Sequence, residues 1–243
     1  MSAKEAREPR DEAVVADLRT ARAAAGRGGD SPSGSRTGPG ARSSSLQGSG
    51  IVPGPTLAAA IEESRIRVNE NPSDVEARAN LAYALEQSGR VDAALQEITR
   101  ALELAPDTIS LLVHRASILT ARLRYQQADA DLRRAARLQD GNVEVLIAMG
   151  ILACRRGRWR DAVEPLKRAV EQDPQNPTAH FYLGEAFNHL DQLPAALSSY
   201  ESAAALEPDN WRSFKAIGIV LDRLRRPEEA AAAYRQAVEL QRR

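Results

Sequence analysis

The chain has 243 residues with 33 basic and 33 acidic side chains, so its formal net charge at pH 7 is zero. This balance argues against a general nucleic-acid-binding protein, because such proteins use a basic surplus to displace counterions from phosphate groups. Hydrophobic residues make up 43% of the chain but aromatic residues only 4%, and a core rich in alanine and leucine favours packed helices over a β-sandwich or barrel.

The sequence carries no signal for membrane insertion or secretion. Its apolar runs fall short of the roughly 18 residues that a membrane-spanning helix needs. The charged N-terminal sequence MSAKEAREPRDEAVV lacks the apolar segment of a signal peptide. We therefore expect a cytoplasmic protein. Cys154 is the single cysteine, which excludes an intrachain disulfide and a cysteine-based zinc site within one chain.

Residues 1–55 are predicted to form a disordered tail rich in glycine, serine and arginine. Nine of the 15 glycines fall in this segment, and it has little apolar surface to offset the entropy lost on ordering. Residues 11–26 carry a short, partly amphipathic helical pattern. Two interpretations of this pattern stay open: a helix that frays within the tail, and a docking helix that folds on a partner.

Residues 56–243 are predicted to form an all-α domain of tandem repeats. Pro106, Pro174 and Pro208 are spaced by multiples of 34 residues, with Asp140 in the missing place. Proline cannot continue a helix, so each marks a break. A half repeat over 56–74, with a lone helix over 57–70, precedes five full repeats without insertions. The five repeats are 75–108, 109–142, 143–176, 177–210 and 211–243.

Small and large side chains recur in register within these repeats. Position 20 of every repeat is alanine, and position 24 is a large side chain that fills the space left by the small ones. Helix A is predicted over positions 1–14 and helix B over positions 17–30, with a turn between them. The alanines are Ala94, Ala128, Ala162, Ala196 and Ala230. Arg115 stands at position 7, which is usually a buried leucine in the tetratricopeptide repeats that this pattern resembles; we expect its side chain to reach the surface or to pair with an acid.

This 34-residue pattern resembles the tetratricopeptide repeat family. The resemblance covers residues 56–243 and implies a right-handed α-solenoid, in which the A helices line the concave wall of a groove. It also implies a non-catalytic scaffold or adaptor whose groove binds a protein or peptide partner, with no cofactor or metal. A family clamp that grips the terminal carboxylate of chaperone tails has no match in three consecutive repeats here, so we do not predict that ligand.

The groove is predicted from helix-A positions that face inwards in the family. An apolar stripe at position 5 and a partly basic second half suggest a partner segment with an apolar part and a carboxylate, which would meet Arg155 and Arg223. The alternatives are that Val113 and Ile147 are covered by neighbouring helices and that the charges are ordinary solvated ones. The candidate residues are Ala79, Tyr83, Val113, Ser117, Ile147, Ile151, Arg155, Phe181, Glu185, Asn188, His189, Lys215, Ile219 and Arg223.

No catalytic or metal-binding constellation emerges from the sequence. His180 and His189 are nine residues apart and lie on different faces of one helix, so they cannot share a metal there. Cys154 and His189 occupy adjacent A helices, but a catalytic pair would also need a third, orienting group. We expect Cys154 to be a passive thiol near the groove and a convenient labelling site.

Two further function classes stay open beside the scaffold. The last helix B, near residues Val238 and Leu240, is not followed by a further repeat in this sequence, and a second copy of the chain could pair with it. An enzyme is the remaining class, and it would need a convergent acid, base or metal cluster. Between a monomer and a homo-oligomer, the sequence favours the monomer.

Overall fold

The structure is a computed structural model that describes residues 56–242. The predicted tail over 1–55, with its predicted helix at 11–26, lies outside the described residues, and the division of the chain at residue 55 stays a prediction. The described part consists of eleven helices joined by short turns. They are α1 Leu57–Glu70, α2 Val75–Gln87, α3 Val91–Leu104, α4 Ile109–Ala121, α5 Tyr125–Leu138, α6 Val143–Arg155, α7 Trp159–Gln172, α8 Pro177–His189, α9 Leu193–Leu206, α10 Trp211–Arg223 and α11 Pro227–Arg242.

The helices confirm the predicted all-helical solenoid. Helices α2, α4, α6, α8 and α10 are the A helices, and each packs against the B helix that follows it. Each A helix begins at position 1 of its repeat and ends at position 13, one residue before the predicted end. The B helices of the first four repeats span positions 17–30 as predicted, and Pro227 starts the fifth at a site where its missing N–H costs nothing.

Side chains at position 34 define the starts of most A helices. The Asp74 carboxylate accepts a hydrogen bond from the backbone N–H of Ala77 at 2.8 Å. Asn142 and Asn176 accept the corresponding bond from Val145 and Ala179, both at 3.1 Å. These caps satisfy backbone donors that a helix start leaves unpaired, and each contributes about 1 kcal/mol.

The turns between helices A and B share one backbone geometry. The residue at position 15 adopts a positive φ in every repeat, and the next backbone N–H donates to the carbonyl at position 11 at 2.8–2.9 Å. This geometry is the usual left-handed ending of a helix, for which glycine is the least strained residue. Only two of the five residues are glycine: the set is Gly89 (77°), Leu123 (59°), Gly157 (69°), Asp191 (62°) and Arg225 (59°).

The small residue at position 8 sets how closely helices A and B approach. A Cβ placed on Gly150 would lie 2.4 Å from Cγ of Leu166, and one on Gly184 would lie 2.8 Å from Cδ1 of Tyr200. Both partners occupy position 24, which is fully or almost fully buried in these repeats. The predicted exchange of small and large side chains between positions 8 and 24 is therefore present as direct packing.

The buried side chains form two clusters that meet on helix α6. One cluster extends from Ile61 in α1 to Leu152, and the other extends from Leu146 to Ala233 in α11. Helix α6 contributes residues to both clusters and buries eight of its thirteen residues. It is therefore the element through which the two halves of the solenoid are packed together.

Arg115 pairs with an acid, one of the two outcomes expected of this unusual position-7 residue. Its guanidinium donates two hydrogen bonds to the Asp131 carboxylate, at 2.8 and 2.7 Å. Asp131 is buried and Arg115 is partly exposed. The hydrogen bonds to Asp131 are the main cause that raises the pKa of Arg115. The pair joins helix A of the second repeat to its own helix B.

Candidate partner-binding wall

The five A helices form one surface, which we call the A wall, and the candidate residues lie along it. The A helices of the second, third and fourth repeats also contact one another. Five candidates are exposed and five are partly buried. The exposed ones are Tyr83, His189, Lys215, Ile219 and Arg223; the partly buried ones are Ala79, Arg155, Phe181, Glu185 and Asn188.

Four candidates are buried, and for two rungs of the position-5 stripe, Val113 and Ile147, the alternative of coverage by neighbouring helices is the correct one. Ile147 and Ile151 have 0% and 1% of their surface exposed, and both belong to the second core cluster. Val113 and Ser117 are also buried. The physical reason is the close contact between the A helices of neighbouring repeats, which turns positions 5 and 9 of the middle repeats into core. Their part in binding stays a prediction.

Two parallel stripes remain accessible in the fourth and fifth repeats. On helix α10, Lys215, Ile219 and Arg223 are spaced by four residues, so they share one helix face, and all three are exposed. On helix α8, Phe181, Glu185 and His189 have the same spacing. Ile219 is 39% exposed, which leaves a large aliphatic side chain between two cations.

The cations of these stripes differ in their partners. Arg223 donates to the Asn188 backbone carbonyl at 2.7 Å, to the Asn188 side-chain oxygen, and to Asp191 at 2.7 Å. Lys215 has no ion pair within residues 56–242; its ammonium lies 5.9 Å from the Trp211 ring centroid. Arg155 donates a long hydrogen bond of 3.5 Å to the Tyr182 hydroxyl, and its buried Nε has no partner in that range. Lys215 is therefore the cation most open to a carboxylate.

His189 stacks on Trp159, a contact that sequence reasoning missed. The ring centroids are 3.7 Å apart and the planes differ by 2°. Although His189 is exposed as a whole, the partial loss of water around its ring is the larger cause that lowers its pKa, and the nearby Arg223 guanidinium lowers it further. The pair joins position 13 of the fourth repeat to position 17 of the third, so only the stacking of consecutive repeats brings the rings together.

A second missed contact is a buried pair at the other end of the A wall. His114 Nε2 lies 2.7 Å from the Glu86 carboxylate, and both side chains are at least about nine-tenths buried. Glu86 occupies position 12 of the first repeat and His114 position 6 of the second. The sequence pattern places polar residues at these positions on the surface of the A helices, and their burial follows from the approach of adjacent A helices.

Cys154 is not accessible, so the expectation of a convenient labelling site is wrong. The residue is 4% exposed, and its sulfur lies 4.0 Å from the backbone oxygen of Tyr182. Burial raises the pKa of the thiol well above its ordinary value, and the Glu185 carboxylate adds to the shift. A protonated, buried thiol is a poor nucleophile.

Within residues 56–242, no three histidine, cysteine or acidic side chains come together as a metal site. Among the same residues, no helix combines the length and the apolar character that crossing a membrane requires.

The sequence profile of the tetratricopeptide repeat matches residues 55–108, 147–210 and 190–242, which is more than half of the chain. The chain belongs to the tetratricopeptide repeat family. Such repeats are in general non-catalytic modules for interaction with other proteins. The resemblance drawn from the sequence is thereby confirmed, and protein or peptide partners are the class that this tetratricopeptide fold supports.

Solved structures agree with the family at the level of the fold. The crystal structure of YrrB, described as a TPR protein with an unusual peptide-binding site, is 22% identical, with a TM-score of 0.54 over 75% of this chain and 94% of that one. A MamA structure from Desulfovibrio magneticus RS-1 is 18% identical, with a TM-score of 0.59 over 69% and 95%. The APC/C hetero-tetramer Cut9–Hcn1 is 17% identical, with a TM-score of 0.71 over 76% and 37%. No curated protein sequence matches the chain.

Proposed function

We propose that this tetratricopeptide protein is a cytoplasmic scaffold or adaptor that binds a segment of a partner protein along the A wall of the fourth and fifth repeats. The observation that carries the proposal is the stripe on helix α10, where Ile219 is exposed between Lys215 and Arg223. An aliphatic side chain flanked by cations fits a partner segment that combines an apolar residue with a carboxylate. That YrrB is described as peptide-binding makes the same class of ligand reasonable here.

The expected partner segment lies across the two stripes. Its apolar side chain would pack between Ile219 and the partly buried Phe181, which removes apolar surface from water at about 25 cal/mol per Å². Its carboxylate would meet Lys215, which has no ion pair in the described range. Arg223 is already held by Asn188 and Asp191, so we assign it to the edge of the site, and Lys215 is the cation that meets the carboxylate.

A displayed library of random dodecapeptides tests this proposal on the full chain. We expect enrichment of peptides that pair acidic with apolar residues, with affinities that weaken as salt is raised. Binding by fluorescence anisotropy should fall at least about tenfold, or 1.4 kcal/mol, in the variant Lys215→Glu plus Ile219→Glu. The matched control is Arg137→Glu plus Leu138→Glu, which reverses one cation and charges one exposed leucine on helix α5. Peptides that bind both variants equally would contradict the proposal.

Self-assembly through the last helix is the second candidate. Val238 in α11 is 45% exposed, whereas the same repeat position is buried as Leu102 and Ala204. A second copy that covers this face would bury it as a following repeat does. The expected sign is a sedimentation coefficient that rises with protein concentration and stops rising in Val238→Lys. A wild-type monomer at every concentration would eliminate this candidate.

A further inference from the structure

The two edges of the solenoid, one formed by the A-to-B turns and the other by the B-to-A loops, carry opposite charge. Helices A and B run antiparallel, so all A-to-B turns lie on one edge and all B-to-A loops on the other. The turns (88–90, 122–124, 156–158, 190–192 and 224–226) hold seven arginines and one carboxylate, Asp191. The loops (71–74, 105–108, 139–142, 173–176 and 207–210) hold no Lys or Arg and six carboxylates: Asp74, Asp107, Asp140, Asp173, Glu207 and Asp209.

Much of this charge is not neutralised within the described chain. On the turn edge, four exposed arginines make no ion pair among residues 56–242. They are Arg90, Arg124, Arg156 and Arg225, which belong to four different repeats. Leu123, between two arginines of the same edge, is 66% exposed. The turn edge therefore presents a row of free guanidinium groups with one apolar side chain among them.

The loop edge presents carboxylates where the turn edge presents arginines. Within the described range, Asp173, Glu207 and Asp209 form no ion pair. Asp107 and Asp140 each contact one arginine, but their side chains stay 66% and 88% exposed. These carboxylates therefore recur once or twice per repeat, from the first repeat to the fourth; Asp209 is exposed like Asp107 and Asp140, whereas Asp173 and Glu207 are partly exposed.

The two rows have the same spacing, because each repeat contributes one turn and one loop. A single exposed ion pair is worth about 0–1 kcal/mol, but several pairs that form together in register add up. A second copy of this chain offers carboxylates at the same repeat spacing as the arginines, which occur in every turn except that of the fourth repeat. A nucleic acid or an anionic membrane would have no reason to match the loop edge, and the zero net charge leaves copies without the mutual repulsion that keeps highly charged proteins apart.

We propose that copies of this chain associate side by side, with the arginine turn edge of one copy on the carboxylate loop edge of the next. The contact is heterologous, since it joins two different surfaces, so it leaves a free edge at each end and can continue beyond a dimer. The contact uses neither the two stripes of the A wall nor Val238. Screening by salt weakens it, because the charges are exposed and the Debye length shrinks from about 30 Å at 0.01 M to about 8 Å at 0.15 M.

Sedimentation velocity of the full chain is the first test. At about 10 mM salt the weight-average sedimentation coefficient should rise with protein concentration, and at about 500 mM salt it should stay at the monomer value. A constant monomer value at low salt up to the highest soluble concentration would overturn the proposal. So would a low-salt monomer that uses the same arginines to bind phosphatidylserine vesicles or a DNA duplex.

Edge-reversal variants make the test specific. A turn-edge variant (Arg90→Glu, Arg124→Glu, Arg156→Glu, Arg225→Glu) has two acidic edges, and a loop-edge variant (Asp107→Lys, Asp140→Lys, Asp173→Lys, Asp209→Lys) has two basic edges. We expect neither to associate alone, and an equimolar mixture to associate at low salt. A mixture that stays monomeric while circular dichroism shows both variants folded would refute the pairing of the edges.

A control variant separates edge contact from net charge. The substitutions Arg65→Glu, Arg100→Glu, Arg133→Glu and Arg235→Glu change the net charge as much as the turn-edge variant, but they lie within helices rather than in the turns. Repulsion from net charge is equal in the two variants, but the control keeps the arginines of its turn edge. It should therefore self-associate more strongly than the turn-edge variant. An equal loss of self-association in both variants would show that net charge, not the turn edge, governs association. Peptide binding by the groove is measured separately, so the two proposals can fail independently.

Discussion

Ser213 is a buried hydroxyl in a place where the other repeats bury apolar side chains. It is 0% exposed, and its Oγ has no hydrogen-bond partner in the described range. The same repeat position holds Ala77 and Ala179, both fully buried. A buried polar group without a partner costs about 1–3 kcal/mol, so this residue lowers the stability of the fifth repeat.

Replacing Ser213 with alanine should therefore stabilise the protein. We expect Ser213→Ala to raise the free energy of unfolding by about 1 kcal/mol, measured by urea denaturation. The matched control is Ser199→Ala: that hydroxyl is also buried but donates to the Ala195 carbonyl at 2.9 Å, so its loss should bring no gain. Equal stabilisation by both substitutions would contradict the argument.

His189 should stay neutral at pH 7 and report its own protonation through Trp159. Its pKa lies below 6.5 in the folded state because of burial and Arg223. The unfolded chain therefore takes up the proton first, and stability is lost as pH falls through 6.5 towards the folded pKa. In a Trp211→Phe background, Trp159 fluorescence should change with a midpoint below pH 6.5, and Arg223→Ala should raise this midpoint.

The outcome that would contradict this is a midpoint at or above pH 6.5 that Arg223→Ala leaves unchanged. His180 supplies the control, because its Nε2 lies 3.1 Å from the Pro174 carbonyl and it makes no ring stack within residues 56–242. His180→Gln should leave the fluorescence titration unaltered. The titration therefore isolates the stacked pair.

Side-chain contacts between repeats are less predictable from the sequence than contacts within one repeat. The pairing of Arg115 with an acid was one of two expected outcomes, because a cation at a core position needs compensation. The stacking of His189 on Trp159 and the burial of Cys154 were not foreseen. Both depend on how closely one repeat lies on the next, and the periodicity within a repeat does not specify that distance.

The A–B helix pairs of the third and fifth repeats differ in how strongly they depend on the glycine at position 8. Leu166, against Gly150, is 0% exposed, so it has nowhere to move if a methyl group is added. Tyr234, against Gly218, is only partly buried, although an added Cβ would lie 2.5 Å from its ring. Its ring can swing outward towards solvent at the cost of the hydrogen bond to Asp222.

Alanine at these two glycines should consequently have different effects. We expect Gly150→Ala to destabilise the protein by about 1–3 kcal/mol, as overpacking does, and Gly218→Ala to cost less. Guanidinium denaturation of the two variants measures the difference. Equal losses, or a larger loss in Gly218→Ala, would show that the exposure of the facing side chain does not control the cost.

Helix bounds were the most predictable feature at the level of the element. The lone helix over 57–70 and the first four B helices begin and end at the predicted residues. Alanine in register, proline breaks and capping residues specify them locally. The exposure of the A wall was less predictable, because Ile147 and Ile151 could have faced either the groove or the next repeat, and only the packing between A helices decides it.

Across the whole molecule, burial is greatest in the middle. Helices α4, α6 and α8 bury eight residues each, whereas α1 buries two, Ile61 and Ser64, and α11 buries three alanines. In a repeat array each unit is stabilised mainly by its neighbours, so the ends open at lower free energy than the centre. The solenoid should therefore fray from both ends.

Hydrogen exchange followed by mass spectrometry checks this gradient. Amide protection should be highest in α4, α6 and α8 and fall towards α1 and α11 under native conditions. Ile61→Ala should lower protection in α1 far more than in α6, because it removes the main apolar anchor of the first helix. Uniform protection along the chain would instead mean that the array opens as a single cooperative unit.

The Arg115–Asp131 pair has a consequence for how the array folds. Five hairpins of the same length can mispair, because helix A of one repeat fits the helix B of another nearly as well as its own. In the position of Asp131, the first repeat carries Glu97, which pairs with its own Arg78 at 2.7 Å, and the third, fourth and fifth repeats carry Pro165, Ser199 and Ala233. Against any of these last three, the Arg115 guanidinium would be left in a partly dry contact without its carboxylate. The pair thus disfavours packing of helix A of the second repeat against the helix B of a later repeat, and it favours an order of repeats in space that follows their order in sequence.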